Sequence, residues 1–211
     1  MSARRHTLAR LLKTALAAPL ALLALMPALA APALAEEKTA IVAGGCFWCV
    51  ESDFEHVPGV REVISGYTGG EMQNPTYHNH GQHLEGAKIV YDDTQVSYET
   101  LMETYWRTVD PTDAGGQFCD RGHAYMTAVF VADEEQRKIA EKTRTEAQTA
   151  LGKPIVTPIL DAGAFWDAED YHQDYYKKNP ARYKYYRWAC GRNQTVTELW
   201  GDQAYLHLAE H

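Results

Sequence analysis

The chain has 211 residues, 45% of them hydrophobic and 23% charged, and its 20 basic and 28 acidic residues give a formal net charge of −8. That acidic balance argues against a nucleic-acid or anionic-membrane partner. The 13 Tyr, 5 Trp and 5 Phe exclude a disordered acidic chain, because so many aromatic rings need a packed fold.

Residues 1–35 read differently from the rest. Arg4, Arg5, Arg10 and Lys13 open them, no acid is present, and residues 14–35 are uncharged and rich in Ala and Leu. A basic start, an apolar middle and the exit Ala33-Leu34-Ala35 before Glu36 predict a secretory signal peptide cleaved after Ala35. The rival is an uncleaved membrane helix, since 22 uncharged residues suffice to span a bilayer. Pro19, Pro27 and Pro32 interrupt the run and count against it, so no stable membrane insertion is expected after cleavage. Arg4-Arg5 gives weak support to twin-arginine export, and the general secretory route to the periplasm or the medium is favoured. Cleavage leaves residues 36–211, a single domain of 176 residues with 16 basic and 28 acidic side chains, near −12.

In that domain, residues 39–43 form a short apolar run ending in Gly44-Gly45, which predicts a buried strand entering a tight turn. From Cys46 to Glu55 the spacing is helical, with Phe47, Val50 and Phe54 on one side and Pro58-Gly59 as the stop. Residues 60–67 alternate as a strand, residues 68–82 are a long Gly/Asn/Pro-rich loop, and residues 84–91 alternate again. Ser97 is placed to cap an amphipathic helix to about residue 109, with Leu101, Tyr105 and Thr108 facing inward. A polar loop over 110–122 leads to a strand at 125–131, a charged helix at 133–151 and a last strand at 154–160. The order strand, helix, strand, strand, helix, strand predicts an α/β sandwich with a ferredoxin-like split βαβ core and a mixed sheet. After Ala164 the chain turns aromatic without periodicity, which predicts an irregular C-terminal wrap of short helices and coil.

Four cysteines, Cys46, Cys49, Cys119 and Cys190, would ordinarily make two structural disulfides in an exported protein. The setting of Cys46 points elsewhere. It stands between a Gly-Gly turn and the first turn of a helix, where backbone N–H groups and the helix dipole favour a thiolate, and where glycines leave the sulfur approachable. Cys46-Phe-Trp-Cys49 also suits a thioredoxin-type disulfide exchanger, the alternative function. A structural zinc site needs a second ligand pair, which Cys119 and Cys190 do not make by spacing. His78, His80 and His83 lie in a loop of ordinary solvated character and are read as non-metal residues.

Gly45-Cys-Phe-Trp48, Asn74-Pro-Thr-Tyr77, His83-Leu-Glu85, Val90-Tyr-Asp92, Asp110-Pro111 and Glu169-Asp-Tyr-His-Gln173 recur in order and spacing. Together they make the chain resemble the A-type peptide-methionine sulfoxide reductases from about residue 39 to 200. The resemblance implies reduction of methionine-S-sulfoxide, free or in proteins, through a cysteine sulfenic acid and then an intramolecular disulfide. It implies Cys46 as nucleophile, Glu85 as the acid, and Tyr77 and Tyr125 as donors to the sulfoxide oxygen. Glu85 needs an apolar site to raise its pKa before it can donate at pH 7. Phe47 and Trp48 would supply that site and hold the S-methyl group, and Asp120 would help arrange the pocket. His172 would tie the C-terminal wrap to the sheet. No bound cofactor, metal or flavin is implied; a thioredoxin-type or other dithiol would return the enzyme to its reduced state, and the domain is taken as a monomer. Gln117-Phe-Cys-Asp120 departs from the family's commoner pattern by carrying Cys119 where Asn is frequent. The resolving thiol is expected to be Cys190, since many family members keep a recycling cysteine on the C-terminal tail. Cys49 and Cys119 are the alternatives.

Overall fold

The computed structural model describes residues 37–209; the leader expected over residues 1–35 lies outside them. In chain order the elements are β1 (Glu37–Gly44), α1 (Phe47–Glu55), β2 (Val60–Thr68), β3 (Leu84–Asp92) and α2 (Tyr98–Trp106). A two-residue hairpin, β4 (Gly116–Gln117) and β5 (Asp120–Arg121), precedes β6 (Thr127–Val131), α3 (Glu134–Leu151), β7 (Ile159–Asp161) and β8 (Phe165–Asp167). Three helices end the chain: α4 (Tyr175–Lys178), α5 (Pro180–Ala189) and α6 (Arg192–Trp200).

The main sheet runs β7-β6-β1-β3-β2-β8. Its four central strands are antiparallel neighbours, with β1 between β3 and β6 and β3 between β1 and β2. That is the order of the expected split βαβ core. Adding β7 parallel to β6 makes the sheet mixed. The helices form for local reasons that the sequence states clearly. Ser97 accepts from the Thr100 N–H at 3.0 Å and caps α2. Asp133 does the same for α3 through Gln136 N–H at 2.8 Å, and Gly152 closes that helix in the left-handed region. The expected inward stripe of α2 is buried: Leu101, Tyr105 and Thr108 are each at most 2% exposed. They join Val42, Val50, Phe54, Ile89 and Trp106 in the layer between sheet and helices.

Four expectations change in contact with the structure. Helix α2 ends at Trp106, and Thr108 and Val109 follow in a turn. The strand expected from 125 starts at Thr127, because His123–Tyr125 closes a 3₁₀ turn. The strand expected over 154–160 narrows to Ile159–Asp161; Pro154 and Pro158 have no N–H to give a ladder. The wrap is more regular than its composition suggested, since Phe165–Asp167 pairs with β2 as a sheet edge and α5 and α6 are full helices. Tyr183 and Tyr186 of α5 pack against α1 while Tyr185 is exposed, which hides any simple period.

Helix α1 is the clearest consequence of that wrap. Its buried residues include Phe47, Cys49, Val50, Glu51, Ser52, Asp53 and Phe54, so it is covered on every side and not only along the Phe47–Val50–Phe54 stripe. One side faces the sheet. The other faces α4 and α5, where Cys46, Cys49 and Tyr183 cluster with Trp48, Tyr175, Tyr176 and Tyr186.

Candidate active site

The turn from β1 into α1 sets the site. Gly45 has φ +80°, and a Cβ there would fall 2.6 Å from the Gln117 Cβ, so glycine is required for both the turn and the close approach. The turn leaves Cys46 at the N-cap of α1. A cavity of about 60 Å³ opens beside it, lined by Cys46, Phe47, Trp48, Tyr77, Glu85, Asp120, Tyr125 and Tyr186. The eight come from α1, β3, β5, α5 and the loops before β3 and β6.

Glu85 points from β3 to the start of α1 and accepts the Phe47 N–H at 3.1 Å. Burial pushes its carboxyl up to about 8 against that hydrogen bond, with the nearby Asp120 adding in the same direction. It therefore keeps its proton at pH 7. Tyr77 and Tyr125 lie within hydrogen-bond reach of each other, and burial raises both phenols, so both keep their O–H.

Cys46 behaves differently from the helix N-terminal expectation. It is 6% exposed, and burial raises its thiol, reinforced by an S–H hydrogen bond to Cys49 and by the charges of Cys49 and Glu85. The first-turn dipole does not offset the loss of water. Cys49 is lowered, chiefly because it accepts that hydrogen bond. The negative charge of the pair therefore rests on Cys49.

The Glu169–Gln173 segment holds the walls of the pocket. Glu169 accepts from the Tyr67 hydroxyl and the Tyr77 N–H, each at 2.9 Å, and so fixes the Tyr77 loop. Gln173 exchanges two hydrogen bonds of 2.9 Å with the Ser65 backbone. His172 is buried and lowered by that burial, so it stays neutral, and its Nδ1 accepts the Trp48 indole N–H at 3.0 Å. It thus links the C-terminal wrap to α1 rather than to the sheet. Trp48 lies between that bond and a parallel stack on Tyr175, with ring centroids 3.7 Å apart.

The structure gathers Cys46, Phe47, Trp48, Tyr77, Glu85, Asp120 and Tyr125 around one cavity. It adds Tyr186, which the sequence offered only as one of a run of aromatics. The Tyr186 hydroxyl donates to Asp120 and also lies within hydrogen-bond reach of the Cys46 sulfur. The helical spacing of Tyr183, Tyr186 and Arg187 on α5 was the available signal. Cys190 is joined in a disulfide to Cys119, with their Cα atoms 4.8 Å apart. Cys49 is the thiol that faces Cys46. The histidine loop serves the backbone: His83 accepts from Gly70 N–H and donates to Met72 O, and His80 stacks on Tyr67.

The family model for peptide methionine sulfoxide reductase matches residues 38–204. Among curated relatives, a peptide methionine sulfoxide reductase MsrA 2 of Rhizobium meliloti is 55% identical over 88% of this chain and 92% of its own length. One from Bacillus licheniformis, named MsrA, is 47% identical over 79% of this chain and 95% of its own. Of solved structures, methionine sulfoxide reductase A of Corynebacterium diphtheriae superposes with TM-score 0.61 at 33% identity, covering 68% of this chain and 76% of that one. Reduced Mxr1 from Saccharomyces cerevisiae does so with TM-score 0.64 at 27% identity, covering 69% and 87%. The chain belongs to the peptide methionine sulfoxide reductase family and is an oxidoreductase that returns methionine sulfoxide to methionine.

Proposed function

We propose that this enzyme reduces methionine-S-sulfoxide at the cavity beside Cys46, with the roles divided as follows. Cys46 attacks the sulfoxide sulfur, and Glu85 gives its proton to the oxygen. Tyr77 and Tyr125 donate to that oxygen as charge develops on it. Phe47 and Trp48 hold the S-methyl group, and the small cavity suits a group of that size. Asp120 orients the Tyr186 hydroxyl near the sulfur. The observation that carries the reading is a protonated Glu85 on the same wall as Cys46, hydrogen bonded to the residue next to it. Methionine leaves and Cys46 is left as a sulfenic acid.

A second thiol of the chain then closes on that sulfenic acid. Cys190 is engaged with Cys119, and the free thiol in hydrogen-bond contact with Cys46 is Cys49, which favours Cys49 for the first disulfide. A dithiol protein of thioredoxin type is the proposed electron donor, with no metal or flavin taking part. The leader pattern supports export and cleavage after Ala35, and the monomer is the proposed state. The test is coupled turnover of the separate S and R sulfoxide epimers by the mature protein with dithiothreitol. Turnover of S alone supports the reading. Indifference to both epimers together with reduction of insulin disulfides would favour a Cys46-x-x-Cys49 disulfide exchanger instead.

A further inference from the structure

Directly beyond Cys49 the helix α1 buries a second charged residue, Asp53, one turn further on and wholly out of solvent. Two arginines of the C-terminal helices meet it there. Arg187 places Nη2 2.8 Å from Asp53 Oδ1, and Arg192 places Nε 3.6 Å from Oδ2. Both are nearly as buried, at 8% and 2% exposed. Their remaining N–H groups go to neutral acceptors. Arg187 donates to Asn193 Oδ1 at 2.7 Å and the Tyr183 hydroxyl at 2.9 Å. Arg192 donates to Gly44 O and Thr108 O, each at 3.0 Å, and lies over the Phe118 ring. Two guanidinium groups thus share one carboxylate, and the interior carries an excess positive charge. A buried charge is costly unless a counter-charge lies near it.

We propose that the buried Arg187–Asp53–Arg192 cluster holds the negative charge of the Cys46/Cys49 pair on Cys49 and thereby makes Cys49 the thiol that closes on the Cys46 sulfenic acid. The three are positioning residues; none lines the cavity beside Cys46. This rests on the reductase reading above and assigns the step after methionine release. Beyond the hydrogen bond from Cys46, it is Arg192 and Arg187 that lower the Cys49 thiol, while burial and Asp53 oppose them. The other titratable groups facing it are Cys46, Glu85, Tyr183 and Tyr186. The α5–α6 elbow at Cys190-Gly191 separates the two arginines, and the disulfide to Cys119 pins that elbow.

The protons and electrons balance along this route. As Cys46 attacks, its proton passes along the existing S–H···S bond to Cys49, and the Glu85 proton goes to the sulfoxide oxygen. The oxygen transfers to Cys46 as a hydroxyl. Cys49 then passes the proton it took from Cys46 to the Glu85 carboxylate and attacks the sulfenic sulfur as a thiolate: the S–S bond forms, the S–O bond breaks, and the hydroxyl leaves as water with the proton from Glu85. Cys49 is oxidised and the sulfenic sulfur reduced, and the external dithiol later reduces the disulfide, its two protons returning one to Cys46 and one to Glu85 and leaving Cys49 as the thiolate.

The test uses one equivalent of methionine-S-sulfoxide on the mature protein, with methionine release and disulfide formation followed separately across pH. Disulfides are mapped by mass spectrometry. Arg187→Met should slow disulfide formation about two- to threefold at neutral pH. That is the scale expected when a largely ionised thiol returns toward an ordinary pKa of about 8.5 and part of the loss is recovered through higher nucleophilicity. The midpoint of its pH profile should move up. Asp53→Asn should move the midpoint down, and Arg192→Lys should leave it close to wild type. Opposite shifts from two substitutions that break the same ion pair are not given by a merely structural role. If Arg187→Met does not fold, the downward shift in Asp53→Asn against an unmoved Arg192→Lys still decides the matter. Midpoints that stay put or move together overturn the proposal, as does a first disulfide from Cys46 to Cys190 formed at full rate in Cys49→Ser. Absence of methionine release from wild type would instead remove the reductase reading itself.

Discussion

The molecule carries two cysteine pairs, and they differ in nearly every physical respect. Cys46 and Cys49 are separated by one helical turn, buried beneath Trp48 and Tyr183, and free. Cys119 and Cys190 are 71 residues apart in sequence and joined, with Cys119 exposed on the loop that also carries Asp120. The inner pair has a proton donor, two phenols and a buried arginine pair around it. The outer pair has Asp120 beside it and open solvent beyond. Chemistry on a sulfoxide needs desolvated, oriented groups, which the inner pair has. The outer pair, with Cys119 exposed, ties the α5–α6 elbow to the loop that carries Asp120. The same residue type therefore serves different ends according to burial and neighbours.

The most severe way to break the inner pair is Cys46→Ser. A serine oxygen is a far weaker nucleophile toward sulfur and cannot be carried to a sulfenic acid, so turnover of methionine-S-sulfoxide should fall below detection in the coupled assay. Glu85→Gln keeps the shape and removes the acid, and single-turnover methionine release should fall by about 10²–10⁴. The wild-type rate should decline as pH rises through about 8, where the carboxyl ionises and can no longer give its proton. That limb should vanish from the residual activity of the variant. A wild-type rate in Glu85→Gln would remove Glu85 as the acid.

Smaller changes sharpen the contrast. Tyr186→Phe deletes the hydroxyl that joins Asp120 to Cys46. Losing one such hydrogen bond to a charged group, worth about 1.5–3 kcal/mol, should slow methionine release roughly tenfold or somewhat more. Tyr77→Phe and Tyr125→Phe should each cost less, since the other phenol remains. For the outer pair the readout is stability. Cys119→Ser opens a loop of 71 residues and should lower unfolding free energy by about 2–4 kcal/mol in a denaturant titration.

The smallest expected effect concerns Glu51, one turn along α1 from Phe47 and outside the lining of the pocket. It accepts from the Ser65 hydroxyl at 2.8 Å and the Asp174 N–H at 2.6 Å, yet burial raises its carboxyl to about 7. Its folded-state pKa lies above the unfolded value, so its contribution to stability is present below about 4.5 and is lost as pH rises through about 7. Glu51→Gln should flatten that part of the melting-temperature profile. An unchanged profile would show that the carboxyl is ionised at no cost in the folded state.

Much of this was legible in the chain itself. Period-two and period-3.6 hydrophobicity, with Ser97 and Asp133 as caps, located the strands and helices of the split βαβ core, because those signals act over a few residues. The motif blocks brought Cys46, Glu85, Tyr77, Tyr125 and Asp120 into consideration before any coordinates. Residues 154–160 carry the apolar content of a strand, but Pro154 and Pro158 lack the donors of a ladder and confine it to Ile159–Asp161. Strand β8 was missed because three residues at a sheet edge leave no period to detect.

The sequence by itself determined the class of core, the helix boundaries set by caps, and the family to which the motifs belong, since each is written in local spacing. Only the tertiary structure decided where the charge sits. Asp53 meets Arg187 and Arg192 across more than 130 residues of chain, and Tyr186 reaches Asp120 from a different element. A thiol's ionisation depends on the water removed from it and on charges a few ångströms away in space. Neither has a signature in sequence separation, and so the direction of the hydrogen bond between the thiols and the arginines brought in by the C-terminal wrap set Cys46 and Cys49 apart.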